Sequence, residues 1–164
     1  MIQKITIDDG TREIPFYNQF DEKICTIRFR PADISIMDRF NAMQASLPDI
    51  FKPLEGVDLK ADGTTENEQG WDTLKQVEAG LIEQLNTLLD TTTAADIFKT
   101  RNPFSAVGGK FFCERVITAL GELIADAVAE ETAKTQERVE KYMPTEDEQD
   151  DRTATDKPAH RAGK

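Results

Sequence analysis

The segment 102–142, which opens with Asn102-Pro103 and ends at Tyr142, constrains this chain more than any other. It places Val107, Phe111, Phe112, Val116, Ile117, Leu120, Leu123, Ile124, Ala127 and Val128 at steps of three and four, which builds one apolar face of a helix. No other segment carries so much continuous apolar surface, so the rest of the chain must pack against it. Beyond Val128 the stripe thins to Thr132, Val139 and Tyr142, while Glu130, Glu131, Lys134, Glu137, Arg138, Glu140 and Lys141 take over. The pattern reads as one long helix, buried in its first half and solvated in its second. Gly108 and Gly109 interrupt it early, each at a cost of about 1 kcal/mol against alanine. Two alternatives follow: close helix packing at the glycines, or a helix start nearer Lys110.

The N-terminal third has a different period. Residues 2–7 alternate, Asp8-Asp9-Gly10 is a turn signal, and residues 11–16 resume a strand-like pattern, which together predict a hairpin. Residues 23–30, KICTIRFR, add a third strand with Cys25, Ile27 and Phe29 on one face. Three strands with one apolar face need a helix to cover it. The first candidate spans 33–46, with Asp33 as N-cap, Ile34, Ile36, Met37, Phe40 and Met43 as its stripe, and Pro48 as its stop. Residues 49–69 are rich in Pro, Gly, Asp and Thr and read as a linker. A second amphipathic helix over 70–90 buries Leu74, Val77, Leu81, Leu85 and Leu88, and residues 94–99 add one further turn that buries Ile97 and Phe98.

These elements predict an α+β domain over 1–142, with a three-stranded antiparallel sheet and three main helices. Residues 145–164 hold no apolar side chain larger than alanine and cannot offset their own ordering entropy, so 143–164 reads as a disordered acidic tail. The net charge of −11 argues against a phosphate-backbone binder, which needs a basic stripe. No run of apolar residues is long enough to span a membrane, and no signal peptide opens the sequence, so a cytoplasmic protein is expected. Cys25 and Cys113 lie far apart among apolar residues and read as free thiols in a reducing compartment.

No pattern of catalytic residues emerges. Asp58, Asp62, Gly63 and Glu66 echo a calcium loop, but Lys60, Thr65 and Gln69 stand where a carboxylate or amide, an aliphatic residue and a glutamate belong. Gly109-Lys110 echoes the end of a phosphate loop, yet Phe111 replaces the hydroxyl residue and Phe104 the first glycine. The single histidine, His160, lies in the acidic tail, and two distant cysteines cannot complete a zinc tetrad. The 31 acidic residues include no pair that stands out for acid–base chemistry. A non-enzymatic protein without a cofactor is the expectation.

Several pieces together resemble the small tail assembly chaperones of long-tailed bacteriophages and of prophages in Gram-positive bacteria. They are the N-terminal hairpin 2–16, the segment FRPADISIMDRFNAM over 29–43, and DTTTAADIFKTRNPFSAVGGKFFCERVITAL over 90–120. The family places helices after a short sheet, and a loop with a phenylalanine and a proline comparable to Phe98 and Pro103 before a late helix. The linker 49–69 and the solvated helix end are longer than that pattern needs. The resemblance implies a bacterial cytoplasmic protein whose many copies coat the aggregation-prone tape measure protein, with the tail tube protein and further copies of the chain as other partners. It also implies a longer frameshifted product, for which 145–164 would serve as a junction. Ile36, Phe40, Phe98, Phe104 and Phe111 are the candidate partner-binding residues, with core packing as their other reading. The alternative functions are a small tail or head-completion protein of the virion, and an acidic inhibitor that mimics nucleic acid.

Overall fold

The computed structural model describes residues 1–142, and the expected disordered tail at 143–164 lies outside the described residues. Strands β1 (Arg12–Tyr17) and β2 (Lys23–Phe29) form an antiparallel pair, with Ile14 opposite Ile27 and Phe16 opposite Cys25. That face delivers Ile27 and Phe29 to the core, while Glu13 and Arg28 pair at 2.6 Å on the other. The α+β class is as expected, with a small N-terminal sheet ahead of the helices.

The strand count differs. Residues 2–7 form no strand, so the expected three-stranded sheet has two strands. The Asp8 carboxylate accepts the Gly10 N–H at 2.9 Å and pairs with Arg12 at 2.8 Å, and Asp9 accepts the Thr11 N–H at 3.0 Å. These local side-chain bonds take the place of a hairpin ladder at the bend, and Ile2, Ile5 and Ile7 stay exposed.

Helix α1 spans Ile36–Phe51 rather than 33–46. Asp33 is not its N-cap residue; its carboxylate accepts the N–H and the hydroxyl of Ser35 one step earlier, both at 3.1 Å. Pro48 lies inside the helix instead of stopping it. It removes one N–H near the C-terminus, and Leu47, Ile50 and Phe51 hold that turn by packing against the core. Helix α2, Glu68–Leu89, is capped by Asn67 and stopped by Asp90, whose φ of 51° is left-handed. Its Leu74, Val77, Leu81, Leu85 and Leu88 are all buried. Arg39 of α1 donates to the Leu88 carbonyl at 3.0 Å and so closes the end of α2. The turn expected over 94–99 is present as a 3₁₀ turn, Ala94–Phe98, with Ile97 and Phe98 buried.

The expected linker 49–69 is tethered. A 3₁₀ turn, Lys52–Gly56, buries Leu54. Ala106 N–H donates to the Ala61 carbonyl, and the buried Ser105 hydroxyl to the Asp62 carbonyl, both at 2.9 Å. Gly63 permits this approach: its φ is +82°, and a β-carbon there would fall 2.9 Å from the Ser105 nitrogen.

Helix α3 spans Phe112–Glu140, not 102–142. The chain before it forms a second antiparallel pair, β3 (Ala106–Val107) and β4 (Lys110–Phe111), joined by Gly108 and Gly109. Both glycines have positive φ, +60° and +80°, as a two-residue hairpin turn requires. Of the two alternatives at the glycines, the helix start nearer Lys110 holds: α3 begins at Phe112, and Gly108 and Gly109 form the turn before it. Phe112 and Cys113 donate their N–H groups to the carbonyls of Ser105 and Pro103 at 2.9 Å, and Glu114 reaches back to the Phe111 N–H at 2.7 Å. The first two donors of the helix, and the N–H of the residue before it, are met this way.

The core joins Ile27 and Phe29 of β2, Ile36, Phe40 and Met43 of α1, the α2 stripe, and Cys113, Val116, Ile117, Leu120 and Ile124 of α3. The chain divides into two compact units, Met1–Val128 and Ala129–Lys164. Every described residue of the second unit is exposed. Along that stretch Lys134 pairs with Glu130 at 2.7 Å, an i,i+4 pair.

Candidate protein-binding cleft

Four of the five candidate partner-binding residues are inside the molecule. Ile36, Phe40, Phe98 and Phe104 are buried, so a partner would reach them only if the core opened. Phe104 is clamped edge-to-face between Phe51, at 6.2 Å, and Phe111, at 5.8 Å. Phe111 alone of the five is half-buried, at the end of β4.

The surface offers a different site. A cleft of about 510 Å³ opens between the β1–β2 turn, the residues after the 94–98 turn, the β3–β4 hairpin and the first turns of α3. Its apolar wall includes Ile24, Ile97, Phe112, Val116 and Ala119, and its polar lining includes Arg101 and Arg115. Phe98 supports the wall from beneath, edge-to-face with Phe112 at 6.0 Å.

Each wall is set by local chemistry. Asn18 organises the β1–β2 turn: its side-chain oxygen accepts the N–H groups of Phe20, at 2.8 Å, and Glu22, at 3.1 Å. Asp21 completes the turn with a φ of 59°. The bend leaves Tyr17 54% and Phe20 72% exposed on the cleft. On the opposite wall Arg115 donates its Nε to the Val107 carbonyl at 2.8 Å. Its guanidinium lies over Gly108, where any side chain would collide with it. The glycine hairpin therefore both precedes α3 and seats this arginine.

The charge pattern is as specific as the shape. Arg12, Arg28, Arg30 and Arg39 each face a carboxylate at 2.6–3.6 Å. Among the described residues, Arg101 and Arg115 enter no ion pair, and the cleft lining contains no Asp or Glu. A chain with 31 acidic and 20 basic residues thus leaves two arginines open in one apolar cleft.

Neither thiol is poised for nucleophilic chemistry. Burial, aided by Glu114, pushes Cys113 up to about 12, and burial together with Asp96 raises Cys25 as well. Two carboxylates of the calcium-loop echo have other partners: Glu66 pairs with Lys60 at 2.7 Å, and Asp62 accepts the Thr64 N–H and hydroxyl. Among the described residues no cluster of His, Cys, Asp and Glu could hold a metal, and no helix is long and apolar enough to cross a membrane. No family model, curated protein or solved structure matches the chain.

Tyr17, Phe20, Arg101 and Arg115 were not singled out by sequence. A signal was nonetheless present, since neither arginine has an acidic residue three or four places away and both have phenylalanines there, Phe98 and Phe104 for Arg101, Phe111 and Phe112 for Arg115.

Proposed function

We propose that this chain is a non-enzymatic tail assembly chaperone of a long-tailed phage or prophage, which binds the tape measure protein in the bacterial cytoplasm and keeps it soluble while the tail is built. The observation that carries the binding role is the open cleft with Tyr17 and Phe20 exposed beside an apolar wall. Exposed aromatic side chains over an apolar floor take up apolar groups from a partner and shield them from water. The resemblance of residues 29–43 and 90–120 to the tail chaperones supplies the identity of that partner, without the 2–16 hairpin, which the fold does not form. An acidic exterior, at net charge −11, keeps a coated assembly dispersed.

The test is co-expression with the product of the very long, helix-rich reading frame next to this gene. The proposal expects that protein to move from the pellet to the soluble fraction and to co-purify with this chain. If it stays in the pellet and nothing co-purifies, the chaperone assignment fails.

A further inference from the structure

We propose that the cleft selects an acidic peptide segment, one that presents an aromatic or aliphatic side chain to the apolar wall and carboxylates to Arg101 and Arg115. The proposal rests on the binding role given above and names the chemistry of the partner at that site.

Charge complementarity carries the inference. Arg101 and Arg115 both line the cleft, neither is in an ion pair, and no carboxylate lines the cleft to neutralise them. In the same unit Arg12, Arg28, Arg30 and Arg39 are each matched with an acid, although acids are abundant. Arg115 is also pre-oriented, because its bond to the Val107 carbonyl uses only Nε and fixes the side chain over Gly108. Its outer N–H groups remain for a carboxylate, which a guanidinium can bind through two parallel bonds. Ile24, Ile97, Phe112, Val116 and Ala119 line the same cleft as the two arginines and favour an apolar group on the same ligand. A polyphosphate chain supplies none of that, and a net charge of −11 repels a long polyanion more than a short segment with a few carboxylates. An acidic, apolar-anchored peptide meets both demands.

The experiment uses the full chain and fluorescence anisotropy with three labelled probes. One is a synthetic peptide that alternates glutamate with leucine and phenylalanine, the second is its lysine counterpart, and the third is a single-stranded DNA oligonucleotide. The acidic peptide is expected to bind about tenfold or more tighter than the lysine peptide, because opposed like charges weaken binding as opposite charges strengthen it. Arg101→Glu with Arg115→Glu should reverse that preference, and Phe20→Ser should weaken both peptides alike. Equal binding of the two peptides, an unchanged preference in the arginine variant, or DNA binding tighter than either peptide would overturn the proposal. Both arginines are exposed, so the variants should fold, and circular dichroism checks this directly. The outcomes separate from the chaperone assignment. Partner rescue that persists in the double-arginine variant sinks the acidic-ligand proposal alone, whereas failed rescue beside an intact peptide preference sinks the tape measure assignment alone.

Discussion

Gly121 in α3 lies beneath the Phe40 ring of α1, and replacing it with alanine sets two effects against each other. A β-carbon at position 121 would sit 2.7 Å from Phe40 Cζ, 3.2 Å from Cε1 and 3.4 Å from Cε2. Alanine in a helix interior gains about 1 kcal/mol over glycine, while overpacking a filled core costs about 1–3 kcal/mol. Phe40 is only 8% exposed, so its ring has little room to retreat. Gly121→Ala alone should therefore be neutral or destabilising by up to about 2 kcal/mol. The three ring atoms in conflict are absent from leucine, so in a Phe40→Leu background the same change should stabilise by about 1 kcal/mol. The double-mutant cycle isolates a coupling of about 1–3 kcal/mol, whatever Phe40→Leu costs by itself. Urea titrations followed by circular dichroism would read it as displaced midpoints at constant slope. If Gly121→Ala stabilises both backgrounds equally, α1 and α3 do not approach here and the packing of this core is misassigned.

Other perturbations have defined outcomes. Phe104→Ala, which empties the ring slot between Phe51 and Phe111, should cost about 3–5 kcal/mol in a urea titration. Gly63→Ala should cost at least about 1 kcal/mol, since its φ of +82° and the nearby Ser105 backbone both oppose a side chain. Cys113 binds its proton more tightly folded than unfolded, so the stability it contributes is intact below its unfolded pKa near 9.0 and is lost as pH rises toward about 12. Through that window stability should fall by up to about 1.4 kcal/mol per pH unit from this group, and Cys113→Ala should show a shallower decline. The native chain should resist thiol alkylation at neutral pH and react fully in denaturant; fast native labelling of Cys113 would contradict its burial.

Helix α2 was legible because its stripe from Leu74 to Leu88 is unbroken, whereas its Asn67 cap lay hidden in a stretch that reads as a linker. Residues 102–111 were not, since Val107 and Phe111 sit four apart and imitate a helical face. Only the positive φ of Gly108 and Gly109 turns that spacing into a hairpin. The alternation of residues 2–7 is real, but a strand also needs a partner edge and a covered face, neither of which a local pattern encodes. The apolar candidates Ile36, Phe40, Phe98 and Phe104 were legible as core for the reason that hid the cleft: helical spacing reports burial, not what the surface exposes. Tyr17 and Phe20 reach solvent through the Asn18 turn, a consequence of side-chain hydrogen bonds that no periodicity records.

The most direct test of the account is the soluble yield of the tape measure candidate when co-expressed with the wild-type chain and with a Tyr17→Ala, Phe20→Ala variant. Both positions are exposed, so the variant should keep the wild-type urea midpoint within about 0.5 kcal/mol. The wild-type chain should carry the partner into the soluble fraction, and the folded variant should leave most of it in the pellet. Equal rescue by both would show that the cleft is not the binding site, and rescue by neither would remove the chaperone function itself.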